Sequence, residues 1–269
     1  MLPTIPADVA PGWYYLWVGV AVLITAISKA GFGGGAAVLA IPLMALVVGP
    51  AEMLGIMLPL LIACDVLSNL HYLGQYDWSR LRWLAPGALG GVILATTILW
   101  SLRGMPPSQF NQVMTAVVGG TCLAVVALQT YRLTGRAVPA LPSHPASAMT
   151  VGFVAGAVST LNHTAGPIVM IYLLQEKLEK RVMVGTLLIY FFLINCSKLP
   201  TYLLLPMANG APLINAGTLR DSLWFIPLIP IGTLIGAWMN RRVPEKPFTM
   251  IMYGVAAVAA SRMIYQTAV

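Results

Sequence analysis

The sequence predicts an all-α polytopic membrane protein made of two inverted repeats, each a re-entrant or broken-helix hairpin plus three transmembrane helices. Three observations predict it. First, 58% of the 269 residues are hydrophobic and only 9% are charged, with a mean hydropathy of +0.83. Soluble domains carry roughly 25% charged residues, and a soluble core of this composition would lack the polar surface to cover itself. Second, apolar segments of crossing length recur along the chain. Third, short motifs recur in the same order in both halves.

The first element is the region 13–49, apolar but interrupted by Lys29 and by Gly31, Gly33, Gly34 and Gly35. It is either a hairpin that turns back inside the membrane or a pair of short spans. Segments 53–73, 83–100 and 109–129 follow. Each is close to the ~20 residues that cross a ~30 Å hydrocarbon core. A linker, 131–147, carries Pro139, Pro142 and Pro145. The region 148–175 is then interrupted by Asn162, His163, Thr164 and Gly166-Pro167. Its arms, about 14 and 9 residues long, reach only ~21 and ~13 Å at 1.5 Å per residue, too short to cross. They predict a hairpin turning near mid-depth, where irregular backbone is tolerated only against protein or a watery cavity. Segments 182–205, 222–240 and 248–265 complete the chain. The organisation is a first repeat over 1–130, the linker, and a second repeat over 148–269.

The repeat rests on residues in register. Ser28 to Leu43 lies against Ser159 to Leu174 at an offset of 131, and Met53-Leu54-Gly55 against Met183-Val184-Gly185 at 130. Tyr72-Leu73 lands on Tyr202-Leu203, while Pro106, Phe110 and Met114 match Pro244, Phe248 and Met252 at 138. Shared apolar composition would scatter such identities; their order and steady offsets favour a repeat. A hairpin returns the chain to its starting side, so each half makes an odd number of net crossings and the halves are inverted. Arg103, Arg220 and Arg262 then share the side of the N-terminus. Arg80, Arg82, Arg132, Arg136, Lys177, Lys180, Arg181, Arg241, Arg242 and Lys246 lie on the other. That asymmetry places both termini in the periplasm. Inverted repeats with broken helices are a transporter architecture.

Composition excludes other classes. The net charge of +7 is spread thinly over short loops, with no basic run interleaved with aromatics, so nucleic acid is not a partner. Cys64, Cys122 and Cys196 each lie in apolar segments, which suits buried thiols, not disulfides or a metal. The first 28 residues contain no Lys or Arg, so the start reads as mature protein without a signal peptide. Three scattered histidines make no metal-ligand spacing, and nothing resembles a nucleotide-binding loop. No cofactor is expected; the tryptophans read as interfacial anchors.

Candidate site residues cluster at the two interruptions. The glycines Gly31, Gly33, Gly34 and Gly35 expose backbone N–H groups, and a helix starting after them would aim its positive end at an anion. Thr160, Asn162, His163, Thr164 and Gly166 form the counterpart, with Pro167 suited to a first helical turn. The alternative is that the glycines serve close helix packing. Lys29, Asp65 and Lys198 are the ionisable groups away from the loops, each costing roughly 2.5–3.5 kcal/mol at membrane depth. Asp65 aligns with Asn195, and Ser68 with Lys198. Two cations against one carboxylate favour an anionic substrate, with Asp65 and Asn195 as a counter-ion or proton-coupling position. A structural ion pair, or lysines snorkelling to an interface, is the competing reading.

The glycine-rich hairpin Gly31-Phe32-Gly33-Gly34-Gly35 with Pro42-Leu43 downstream, its repetition near Ser159 to Leu174, and the chain length resemble the TauE/SafE family. The resemblance spans essentially the whole chain. It implies a secondary transporter of a small sulfur-containing oxyanion, sulfite or a short organosulfonate, across the bacterial inner membrane, often outward. The site would lie between the two hairpin tips and open to each side in turn. The second hairpin departs from a plain glycine run, and its polar groups suit a larger sulfonate as well as sulfite. Two other classes are weighed. An intramembrane lipid-phosphate enzyme needs clustered carboxylates and an Arg clamp, yet no Arg lies near either tip. An anion channel on the same fold would show flux without saturation or coupling.

Overall fold

The computed structural model describes residues 5, 9–34, 37–38, 40–45, 47–133, 141–205, 210–242, 254, 257–258 and 261. It is all-helical among them. The helices run α1 (Pro11–Phe32), α2 (Ala40–Met44), α3 (Pro50–Leu70), α4 (Trp78–Leu102), α5 (Pro107–Leu133), α6 (Pro145–Asn162), α7 (Gly166–Gln175), α8 (Lys180–Leu204), α9 (Ala216–Phe225) and α10 (Leu228–Arg242). Five of these are long and apolar enough to cross a membrane, and α9 with α10, bent by 48°, is a broken sixth span or a re-entrant loop. The chain is a multi-pass membrane protein.

Helix starts follow backbone chemistry. α1, α3, α6 and α7 each carry Pro in the first turn, where a missing N–H costs nothing. Asp77 caps α4 by accepting from the N–H groups of Ser79 (2.8 Å) and Arg80 (3.3 Å). Asn215 caps α9 in a reciprocal box with Thr218. α4 and α9 therefore start five or six residues before the apolar windows 83–100 and 222–240. Polar first turns such as Ser79-Arg80 belong to the helix but not to the apolar pattern. The predicted span 248–265 lies almost wholly outside the described residues.

The first arm of the second hairpin is longer than the sequence predicts, and that of the first is long enough for a full span. α1 has 22 residues and α6 has 18, about 33 and 27 Å at 1.5 Å per residue, each longer than half of a ~30 Å core. The Gly31 carbonyl accepts from Asn240 near the far end of α10, and His163 reaches the Leu54 carbonyl near the start of α3. α1 alone has crossing length. The second arms are short: α7 has ten residues and α2 five.

Two seams of small residues hold the bundle. A side chain on Gly87 or Gly91 of α4 would strike the backbone of Met149 or Phe153, and one on Gly152 or Gly156 of α6 would strike that of Leu84 or Ala88. α10 lies on α1 in the same way, with Gly236 against the Ile27 carbonyl and Gly31 against that of Gly236. Helices that touch through backbone gain dispersion contacts that lipid tails cannot supply.

Contacts recur along the chain. Tyr72 donates to the Ala30 carbonyl (2.8 Å) and Tyr202, 130 residues later, to that of Thr160 (2.7 Å). Gly55 packs on the Leu213 carbonyl and Gly185 on that of Gln75. α1 ends on Gly33 and α6 on His163, both left-handed at φ 65° and 60°. These caps set Lys29, not Ser28, opposite Ser159, a one-residue change from the offset of 131.

Candidate functional site

α1, α3, α6 and α8 bring buried polar groups together in an otherwise apolar interior. Asp65 on α3 is fully buried and accepts from the Lys29 ammonium on α1 in an ion pair. Its other oxygen accepts from Asn195 Nδ2 on α8 at 2.6 Å. Lys29 also reaches the Leu61 carbonyl (3.4 Å) and stands 5.8 Å from the centre of the Phe191 ring. Asp65 and Asn195, the aligned pair, therefore touch each other where α3 meets α8.

One helical turn beyond Asn195, Lys198 is 0% exposed. Its ammonium donates to the Ser159 carbonyl, to Ser159 Oγ and to His163 Nδ1, each at 3.1 Å. All three acceptors are neutral, and Lys198 forms no ion pair among the described residues. With Nδ1 accepting, the His163 proton sits on Nε2, which faces the Leu54 carbonyl at 3.4 Å. His163 holds a left-handed backbone that strains any side chain with a Cβ. Lys198, Leu54 and the Tyr202 ring 5.9 Å away keep it there. In formal charge, Asp65 balances Lys29, and Lys198 has no carboxylate within ion-pair distance among the described residues. Ser68 adds a buried hydroxyl with no hydrogen-bond partner among the described residues.

The other expected residues divide by role. Gly31 serves packing against Gly236, and Gly33 and Gly34 supply left-handed turn conformations. Thr160 turns its hydroxyl to the Gly156 carbonyl (2.8 Å) within α6. Asn162 holds the turn: its Oδ1 accepts from the Thr164 N–H (3.0 Å) and hydroxyl (2.6 Å), and its amide donates to Thr121. Gly166 is buried at the start of α7. Gly35 lies outside the described residues. After the glycines the described residues include a 3₁₀ turn at 37–38 and α2 from Ala40. Ser159, Tyr72, Tyr202 and the Leu54 carbonyl are partners that the sequence reading does not assign, although all four residues fall within the matched stretches of the two halves.

A family model described as Sulfite exporter TauE/SafE matches residues 18–263. No curated protein and no solved structure matches the chain. A match over nearly the full length, on a bundle of membrane-crossing helices around buried charge, settles the family: the chain belongs to the TauE/SafE sulfite exporter family, membrane transporters of sulfur anions.

Proposed function

We propose that the protein is a secondary transporter that exports sulfite or a short organosulfonate across the bacterial inner membrane by alternating access. The observation that carries this reading is the uncompensated Lys198 ammonium, buried among neutral acceptors beside a closed Lys29–Asp65 pair. A buried cation without a counter-ion is expensive, and a bound anion is the natural relief. An oxyanion replacing His163 Nδ1 as acceptor would keep the ammonium fully bonded, and the released Nδ1, an acceptor in this tautomer, would donate only after taking up a proton. Lys29, Thr160, Asn162, His163, Thr164, Gly166 and the glycines at 31, 33, 34 and 35 form the surrounding shell of this proposal. Asp65 with Asn195 is the counter-ion and proton-coupling position.

The two halves, 1–130 and 148–269 about the linker 131–147, are proposed to be an inverted repeat. The support is the recurrence of contacts at 130 and 138 residues, and of two glycine seams that each join one half to the other. Rocking of the halves would pivot where Asp65 meets Asn195. Both termini are proposed to be periplasmic. Arg80, Arg82, Lys177, Lys180, Arg181 and Arg242 gather at one end of the bundle, with Arg103 and Arg220 at the other.

Anion flux in proteoliposomes tests the reading, with sulfite, sulfate, thiosulfate, a short sulfonate and phosphate, each with and without a proton gradient. Saturable flux of one sulfur anion, lost in Lys198→Met, is the expected result. Folded protein that moves none of the sulfur anions would refute it.

A further inference from the structure

A separate basic cavity of about 230 Å³ lies at the N-terminal ends of α4 and α6, and its wall includes Ser79, Arg80, Arg82, Trp83, Ser143 and Tyr172. Its charges are unequally engaged. Arg80 pairs with Glu176 through one terminal nitrogen at 2.5 Å, and Ser143 donates to the same carboxylate at 3.2 Å. Asp77 is occupied in capping α4. Arg82 is exposed beside the Trp83 ring, 5.5 Å from its centre, and makes no ion pair among the described residues. Arg80 Nε and the Tyr172 hydroxyl, on a residue 1% exposed, make no close hydrogen bond, and the charged groups that face the hydroxyl are Glu176 and Arg80. Both donors belong to residues that line the cavity. Two buried donors, an unpaired guanidinium and the positive ends of two helices ask for one ligand with several acceptor oxygens and negative charge.

We propose that this cavity is a second anion site, a loading site for a free oxyanion of the sulfite or sulfonate type, held by Arg82, Arg80 Nε and the Tyr172 hydroxyl. Its loading role rests on the transporter reading above; its preference for an oxyanion rests on the donors themselves. A lipid phosphate offers the same oxygens, so the experiment separates the two sources. Binding of radiolabelled sulfite is measured on the full chain in nanodiscs of phosphatidylcholine, then with phosphatidylglycerol added. Tyr172→Phe keeps the ring and Arg82→Gln is at the surface, so both variants should fold. Lys198→Met should retain roughly half of the bound sulfite, and adding Tyr172→Phe or Arg82→Gln should weaken that remainder at least about tenfold. A folded Lys198→Met protein that binds none, or whose remaining binding ignores both cavity changes, would overturn the second site. Loss of the remainder on adding phosphatidylglycerol would assign the cavity to lipid and equally overturn it. Wild-type protein that binds no sulfite in either nanodisc would take the transporter reading down with it.

Discussion

Removing either lysine deletes one buried positive charge, yet the two deletions should cost very different amounts. Lys29→Met leaves Asp65 fully buried with the Asn195 amide as its remaining partner. Breaking one side of a buried pair typically costs about 3–5 kcal/mol. Lys198→Met deletes three hydrogen bonds from a charged donor, worth roughly 1.5–3 kcal/mol each. It also deletes the burial of an ammonium that has no carboxylate against it, a penalty of several kcal/mol. These terms oppose each other, and the net change should stay within about 2 kcal/mol. The double variant Lys29→Met/Asp65→Asn removes both charges and should recover most of the loss. Unfolding in one detergent, followed by circular dichroism, measures the stabilities, and sulfite binding is measured on the same samples. Lys198→Met should then be stable but deficient in anion binding, and Lys29→Met unstable. Equal destabilisation by both single variants, with no recovery in the double, would refute the charge accounting and make Lys198 a structural residue.

Three further outcomes follow from the contacts. Tyr72→Phe and Tyr202→Phe should each cost about 1–3 kcal/mol, since each strands a buried carbonyl, and unfolding measurements on the two should agree within error. Gly91→Val and Gly156→Val should separate α4 from α6 and destabilise by at least about 1–3 kcal/mol. Gly120→Ala, with open space around it, should be close to neutral in the same assay. Single cysteines at Ser79 and Ser143, in a protein with Cys196 replaced, should react with an impermeant maleimide only from the cytoplasmic side; labelling from the periplasm would invert the proposed topology.

The sequence made most of the helices legible because lipid demands long apolar runs. α3, α4, α5 and α8 follow the predicted windows to within a few residues, and both interruptions are real breaks. Depth was less legible. Pro145 and His144 looked like linker, although they are the first turn and cap of α6, and this shortened the predicted arm. For 13–49 the sequence leaves a hairpin and two short spans open; α1 ends at the glycine cluster, and Gly31 stays within the helix, packed on Gly236, 205 residues away. A glycine's packing partner is a tertiary fact that no local pattern carries. The site shows the same division. Lys29, Asp65 and Lys198 stood out because charge is rare in such segments. Which cation Asp65 would neutralise depends on the crossing of three helices.

The two halves differ at the positions that matter for charge. On the proposed repeat, Lys29 takes the place of Ser159, Ser68 that of Lys198, and Gly33 that of His163. Each half thus holds one lysine and one serine at the junction of hairpin arm and crossing helix, but on opposite members of the pair. The exchange points Lys29 at Asp65, while Lys198 reaches back to Ser159 and His163. Asn195, the counterpart of Asp65, donates to that carboxylate and brings no second negative charge to balance Lys198. Symmetric halves with two Lys–Asp pairs would give a neutral centre with little reason to hold an anion. Asn195→Asp should therefore set a second carboxyl against Asp65 at some cost in stability, since one of the two must take up a proton, and its ionisation should weaken sulfite binding at the central site. Binding that survives Asn195→Asp unchanged would show that the excess charge on Lys198 is not what the anion meets.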